Sequence, residues 1–442
     1  MSNDTRIFRL FFLKICLKLA DRAAGPSTRP RKWEFFRHIR ETRALGRKKK
    51  TLTFVPMFPN QGIGSPSDPD LDPVWVDTVR RNLIDWFAGA SRDLPWRRDR
   101  DPYRILVSET MLVQTTVAAV IPYFERFLAR FPTLEALATA DEGDVLKAWE
   151  GLGYYRRARQ LHAAAKSVLR EHGGVIPDDP ELLRALPGVG RYISGAILSF
   201  AFDRPAPIVE ANTQRVLARW LAIRSDLKAT TTQARLWEAA ARMVPDVGSG
   251  TFNQAFMELG ALVCTPKNPS CLICPVVREC RAKALGIQDQ VPLTTPKPAP
   301  LLSFETAAVV VREGRVLIVR RKPGGLWEGF WEFPTVHVAG ADPAGRRFSE
   351  GPIDLKTGVE RLTGIQVVMS PVTKTVRYSV TKHRVELIAY QGKGLTDTLT
   401  PGPGLDAAVW ELPENLSALP FSAAGRKLIG WVAENVPTPH DR

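Results

Sequence analysis

The chain has 442 residues and is 44% hydrophobic, too long for one ordinary domain and rich enough in apolar residues for more than one core. Its formal net charge is +15, but residues 1–56 carry fifteen Lys or Arg against four Asp or Glu, so the basic excess belongs mainly to one end. Four of its five cysteines fall within seventeen residues, which excludes a disulfide framework and points to a metal site in a reducing compartment.

Residues 1–72 are expected to form a basic, disordered extension, rich in Pro, Gly, Ser and Asp towards its end. Such ends touch nucleic acid or acidic lipid, or are simply solvated. Residues 6–20 come closest to a membrane span, but Lys14 and Lys18 interrupt them and no convincing cleavage site follows. No membrane segment is expected, and the chain is assigned to the cytoplasm.

Residues 73–285 follow a helical pattern. Apolar residues recur at three- and four-residue spacing over Val74–Phe87 and Tyr103–Val120, the second helix being expected to end ahead of Pro122. Leu134–Trp149 and Ala158–Glu171 continue it. Strand-like alternation is scarce, so this part is predicted to be all-α. Residues 286–302 contain four prolines and are predicted to be an extended linker. From 303 to 438 the pattern changes. Thr306–Arg312 and Val316–Arg321 predict a hairpin turning at Glu313-Gly314, with further strands at 375–380 and 384–390 and a helix at 355–363. This is an α+β module.

Cys264, Cys271, Cys274 and Cys280 have the spacing C-x6-C-x2-C-x5-C. Four thiolates in one compact loop suit tetrahedral zinc or a 4Fe–4S cube, although zinc ribbons more often use paired C-x2-C knuckles. Lys267, Arg278 and Arg281 give the loop a modest positive charge, offset in part by Glu279. Upstream, Leu186-Pro-Gly188-Val-Gly190-Arg191 lies between two helical segments. Its glycines permit a tight turn whose following helix start presents free N–H groups, a ready anion site.

The cysteine spacing after a helical domain, together with this hairpin, resembles the endonuclease III-like superfamily of helix–hairpin–helix DNA glycosylases. Within it the chain resembles the adenine DNA glycosylase (MutY) family. The resemblance implies that Gly188, Gly190 and Arg191 grip a DNA phosphate and that the four cysteines bind a 4Fe–4S cluster. Lysine-nucleophile members carry the amine just after the GVGR position, where this chain has Tyr192; a monofunctional glycosylase is implied. In Ser108-Glu109-Thr-Met-Leu-Val-Gln114-Thr, Glu109 matches the family's catalytic acid and Gln114 the side chain that fills the space left by the extruded base. Val113 stands where the family usually has another Gln.

Val209-Glu210-Ala211-Asn212 matches a motif that is usually V-D-G-N. Glu210 is then the sugar-side carboxylate, one methylene longer than usual, and Asn212 its companion. Leu94, Trp96 and Arg97 match lining of the adenine pocket, and Gln254 a residue that pairs with the adenine edge. The C-terminal module resembles a Nudix domain, yet Thr357–Ile365 lacks every metal-binding acid of the hydrolase motif. In the family this module recognises 8-oxoguanine, through a loop that here reads Val380-Thr381-Lys382-His383; Thr381 keeps the hydroxyl and Lys382 replaces a His. Trp327 and Trp331 are expected to pack in the core.

The expected activity is removal of adenine mispaired with 8-oxoguanine or guanine in double-stranded DNA, by a monomer. Two other readings compete. One is a mismatch glycosylase taking thymine or uracil opposite guanine, and the other a lesion-binding protein with weak catalysis.

Overall fold

The computed structural model describes residues 71–293, 298–325, 327–338 and 351–436, and only the backbone of 351–354. The predicted basic extension lies outside the described residues apart from its last two. Leu71 is already buried in the helical core.

The helical body runs α1 (Pro73–Ala90), α2 (Pro102–Leu112), α3 (Val117–Arg130), α4 (Leu134–Ala138), α5 (Glu142–Trp149), α6 (Arg156–His172), α7 (Pro180–Ala185), α8 (Arg191–Phe200), α9 (Ala211–Trp220), α10 (Thr230–Met243), α11 (Ser249–Leu262) and α12 (Arg281–Ala284). Two expectations need correction. The single helix predicted over Tyr103–Val120 is two helices, α2 and α3, parted at Val113–Thr116, and Pro122 lies inside α3. The stretch Leu134–Trp149 is also two helices, since Thr139–Asp141 turn between α4 and α5.

Local chemistry explains the start of α2: Pro102 occupies its first turn and Asp101 caps it, accepting from the Tyr103 N–H at 2.8 Å. Every residue from Ile105 to Met111 is buried, so α2 is a central helix without a solvent face. Two hydrophobic clusters flank the region. One gathers α2 to α8 around Phe124, Phe127 and Trp149. The other gathers α1 and α9 to α12 around Trp220, Phe252 and Phe256.

The proline-rich stretch is not all extended linker. Ile287 and Val291 are buried against the second cluster, and Arg219 donates to the Val291 carbonyl at 2.9 Å.

The module that follows has β1 (Leu301–Arg312), β2 (Arg315–Arg321), β3 (Trp331–Glu332), β4 (Thr335–Val338), α13 (Gly351–Thr363), β5 (Val367–Val380), β6 (His383–Gly394), β7 (Leu405–Glu411) and α14 (Ala423–Asn435). Its sheet runs β3-β2-β1-β6-β5, with β4 added on β1 and β7 on β2, and β1 pairs with β6 in parallel. All four predicted strands start earlier than expected, and β6 also runs on past its predicted end. The β1–β2 turn has Glu313 and Gly314 in left-handed conformation (φ 52° and 75°), the two-residue turn that matches strand twist. One sheet face packs against α14 and the other against α13.

Trp327 and Phe330 pack against the helical body, their rings 5.6 and 4.4 Å from that of Tyr155. Phe330 is buried among the residues of the first helical cluster. Trp331 instead joins the α14 face of the sheet. Nearby, Arg426 forks onto the Glu150 carboxylate and Lys147 donates to the Ser417 carbonyl at 2.6 Å. Phe330→Ala should remove roughly 3–5 kcal/mol of packing. Cleavage between body and module by a sparing amount of protease should then speed up; an unchanged rate would show that Phe330 does not hold them together.

Among the described residues no helix is long and apolar enough to cross a membrane.

Candidate active site

A cleft of about 1010 Å³ opens in the helical body, lined from both clusters. It brings together Leu94, Trp96, Arg97, Glu109, Gln114, Gly188, Gly190, Tyr192, Glu210, Asn212 and Gln254, which come from separate parts of the sequence. Arg191, Thr381 and Lys382 do not line it. The first is stacked over the Trp237 ring at 3.9 Å. The other two form the exposed β5–β6 turn of the module, with Thr381 at φ 51°.

Glu109 has 2% of its surface exposed. Among the described residues its one hydrogen bond comes from the Tyr192 hydroxyl, which donates to Oε2 at 2.5 Å. Burial pushes the Glu109 carboxyl up to about 7; the bond from Tyr192 opposes this, the charge of Glu210 adds to it, and Arg97 pulls the other way. Tyr192 is itself pushed far up, chiefly by burial, so it stays a donor.

Glu210 caps α9. Its carboxylate accepts from the Asn212 N–H at 2.8 Å, the Thr213 N–H at 2.9 Å and the Asn212 side-chain amide at 3.3 Å. Burial raises this carboxyl too, against the pull of those donors. The two acids are thereby distinguished. Glu210 has three donors and a helix N-terminus to stabilise a charge, whereas Glu109 has one donor and a dry pocket. Burial raises both carboxyls, but Glu210 is the one whose surroundings favour a charge. The longer side chain at 210 is thus accommodated by reaching back onto its own helix.

Asn212 is fixed from behind. Arg215 donates to its Oδ1 at 2.9 Å and to the Cys264 carbonyl at 2.7 Å, so one guanidinium ties the Glu210 turn to the cysteine loop. Gly260 is required there: a Cβ on it would stand 2.6 Å from that of Asn212. Gly188 meets a similar demand, with φ 76° and the Gln160 Cβ only 2.6 Å from where its own would lie. Gly190 starts α8 without a side-chain cap, so the first N–H groups stay open at the surface.

One further residue at the cleft, Glu258, was not singled out from sequence. Glu258 is completely buried and binds both Arg92 (2.7 Å) and Arg97 (2.9 Å). Burial pushes its carboxyl up, but the bonds from the two arginines outweigh this and bring it down to about 2. It thus neutralises Arg97 and holds it at the pocket wall. Its place four residues after Gln254, on the same helix face, was the available signal.

The four cysteines stand around one small cavity of about 20 Å³, with Arg219 and Lys283. Arg219 donates to the Cys264 sulfur at 3.2 Å, and burial pushes the Cys274 thiol up to about 12. None of the four forms a disulfide. Among the described residues no three His, Cys, Asp or Glu side chains are close enough to hold a single metal ion. The donor set nevertheless suits a cube, which takes one thiolate at each of four irons rather than four at one point.

Residues 107–242 match the family model of the HhH-GPD superfamily of base excision DNA repair proteins, and residues 306–431 match a NUDIX domain model. The chain is 38% identical over 323 residues to the adenine DNA glycosylase of Rattus norvegicus, covering 61% of this chain and 62% of that protein. It is 34% identical over 407 residues to the adenine DNA glycosylase of Homo sapiens, covering 80% of this chain and 73% of that one. The chain belongs to the adenine DNA glycosylase family. Its match spans about three-fifths of the rat and mouse relatives, 62% and 61% of their lengths. As expected from its sequence, this family member joins a helical glycosylase domain to a Nudix-like α+β module.

Proposed function

We propose that the chain is a monomeric, monofunctional glycosylase that hydrolyses the bond between adenine and deoxyribose where adenine is mispaired with 8-oxoguanine or guanine in double-stranded DNA. The observation that carries this is the pairing in one cleft of a buried Glu109, its carboxyl raised to about 7, with Glu210, which accepts three hydrogen bonds at the start of α9. Adenine leaves poorly as an anion. Proton transfer from Glu109 to its N7 turns it into a neutral leaving group. The C1′–N9 bond then breaks and its electron pair goes to the base. The cation left on the sugar is stabilised by the Glu210 carboxylate, held in place by its donors at the start of α9. Water attacks C1′ and gives a proton back to Glu109. Tyr192 orients Glu109 throughout, and no lysine stands there to divert the reaction to an amine intermediate.

Leu94, Trp96, Arg97 and Gln254 would enclose the extruded adenine, and Gln114 would occupy the space it leaves. Gly188, Gly190 and Arg191 would hold a phosphate. Thr381 and Lys382 are proposed to meet the 8-oxoguanine.

Single-turnover assays on A:8-oxoguanine, A:G, T:G and U:G duplexes, each followed by alkali, test this. Alkali-labile sites should form from the first two alone. Release of thymine or uracil, or tight binding of A:8-oxoguanine with no labile site, would sink it.

We also propose that Cys264, Cys271, Cys274 and Cys280 hold a 4Fe–4S cluster, whose contribution is to staple the basic loop in shape. Anaerobically purified protein should contain about four irons and four sulfides per chain. Cys274→Ser should lower both and the thermal midpoint. Stoichiometric zinc without sulfide would refute the cluster.

A further inference from the structure

The break between α2 and α3 is not marked by a helix breaker. Neither Gly nor Pro occurs from Leu112 to Thr116, and the apolar periodicity runs straight on to Val120. Yet the chain turns there, with Gln114 at φ 62°. A side-chain-bearing residue in that region costs about 1–2 kcal/mol and persists only where its surroundings impose it.

What imposes it is Arg157, in the first turn of α6. Arg157 is 8% exposed, and its guanidinium lies over the rings of Trp149 and Tyr154, 5.5 and 5.2 Å from their centroids. One terminal nitrogen donates to the carbonyls of Thr110 (2.9 Å), Met111 (2.7 Å) and Val113. The other donates to the Thr115 hydroxyl (3.0 Å) and the Gly153 carbonyl (3.3 Å). These contacts include no carboxylate. The cation is matched to the carbonyl end of α2, where the last oxygens lack helical partners and the helix dipole is negative. Had α2 continued, the carbonyls of Thr110 and Met111 would have been taken up by later N–H groups of the same helix. Arg157 is not among the residues lining the catalytic cleft. It therefore reaches the substrate only through the turn it holds.

We propose that Arg157 is a positioning residue that stops the helix of Glu109 and sets the Gln114 turn, so that it governs extrusion of the target base rather than cleavage of its bond. This rests on the reading of the chain as a base-extruding glycosylase. A lysine cannot replace it, because one ammonium neither stacks over two rings nor spans two groups of acceptors in a plane.

The test compares Arg157→Lys, Gln114→Ala and the double variant in the full chain, each first checked for an unchanged thermal midpoint. A duplex with 2-aminopurine at the target position reports unstacking by its fluorescence, and single-turnover release reports the whole reaction. Arg157→Lys should slow release about 10- to 100-fold, the scale of an ångström-sized misplacement. It should lower the fluorescence rise to a similar extent, and leave unchanged the pH at which the rate falls by half, which belongs to Glu109. The double variant should be no slower than the slower single. A full fluorescence rise with slow release, a moved pH midpoint, or losses that multiply in the double variant would each overturn the proposal. If Arg157→Lys melts early, Arg157→Gln replaces it with the same criteria. Failure of the wild-type chain to release adenine would strike the function reading instead, and Arg157 would then be judged on the fluorescence alone.

Discussion

Glu109→Gln should lower single-turnover release of adenine about a thousandfold or more, within the range attributed to a positioned general acid, while gel-shift binding to the same duplex stays within a few-fold. The amide keeps the volume and can still accept from Tyr192, so only the transferable proton is lost. The wild-type pH profile should carry the same signature. Glu109 is held up at about 7 by burial, so the acid form predominates below that pH and release should fall about tenfold per unit above it. Stability should follow the same sign. The folded carboxyl titrates higher than the unfolded one, so its contribution is complete below the unfolded value and is lost as pH rises through about 7. The thermal midpoint of Glu109→Gln relative to wild type should therefore improve between pH 6 and 9. A variant that still releases adenine, or a wild-type rate flat from pH 6 to 9, would remove Glu109 from its role.

Glu210→Gln has the second largest expected effect. It removes the carboxylate proposed to face the sugar and should slow release about 100- to 1000-fold, the scale seen when one preorganised electrostatic group is lost. It also leaves one oxygen where two accept from the start of α9, which should cost about 1 kcal/mol of stability. The more telling consequence concerns the other acid. The charge of Glu210 helps hold the proton on Glu109, so its removal should let that proton go more easily. The descending limb of the residual rate should move to lower pH. An unmoved limb would mean that the two carboxyls do not sense one another, and a rate within twofold of wild type would leave Glu210 only its capping role.

Several of these features were legible before any coordinates. The four cysteines, the Gly188–Gly190 hairpin, Glu109 and Tyr192 sit in short local patterns whose chemistry depends on residue type and spacing, and the structure gathers Glu109, Tyr192 and Glu210 on one cleft. Glu210 was visible as an acid, but not as a cap, because Glu is not among the residues usually found at that position. Glu258 was hidden because a buried Glu in a helix looks like a solvated one until its two arginines, each more than 150 residues away, are folded onto it. Arg157 was hidden for the same reason within Arg156-Arg-Ala-Arg159, a run that reads as a wetted helix face.

The sequence alone settled which groups are present: an acid, a hydroxyl in place of an amine, a second carboxylate and four thiols. Local composition determines those. Which carboxyl keeps its proton and where the Glu109 helix ends were decided by tertiary structure. Burial and unequal donors set the first: the Glu109 carboxyl is raised chiefly by burial, with the charge of Glu210 adding to it, and it accepts from one donor where Glu210 accepts from three. Long-range hydrogen bonding sets the second: local periodicity favours continuing past Leu112, and a guanidinium more than 40 residues on takes the carbonyls that continuation would need.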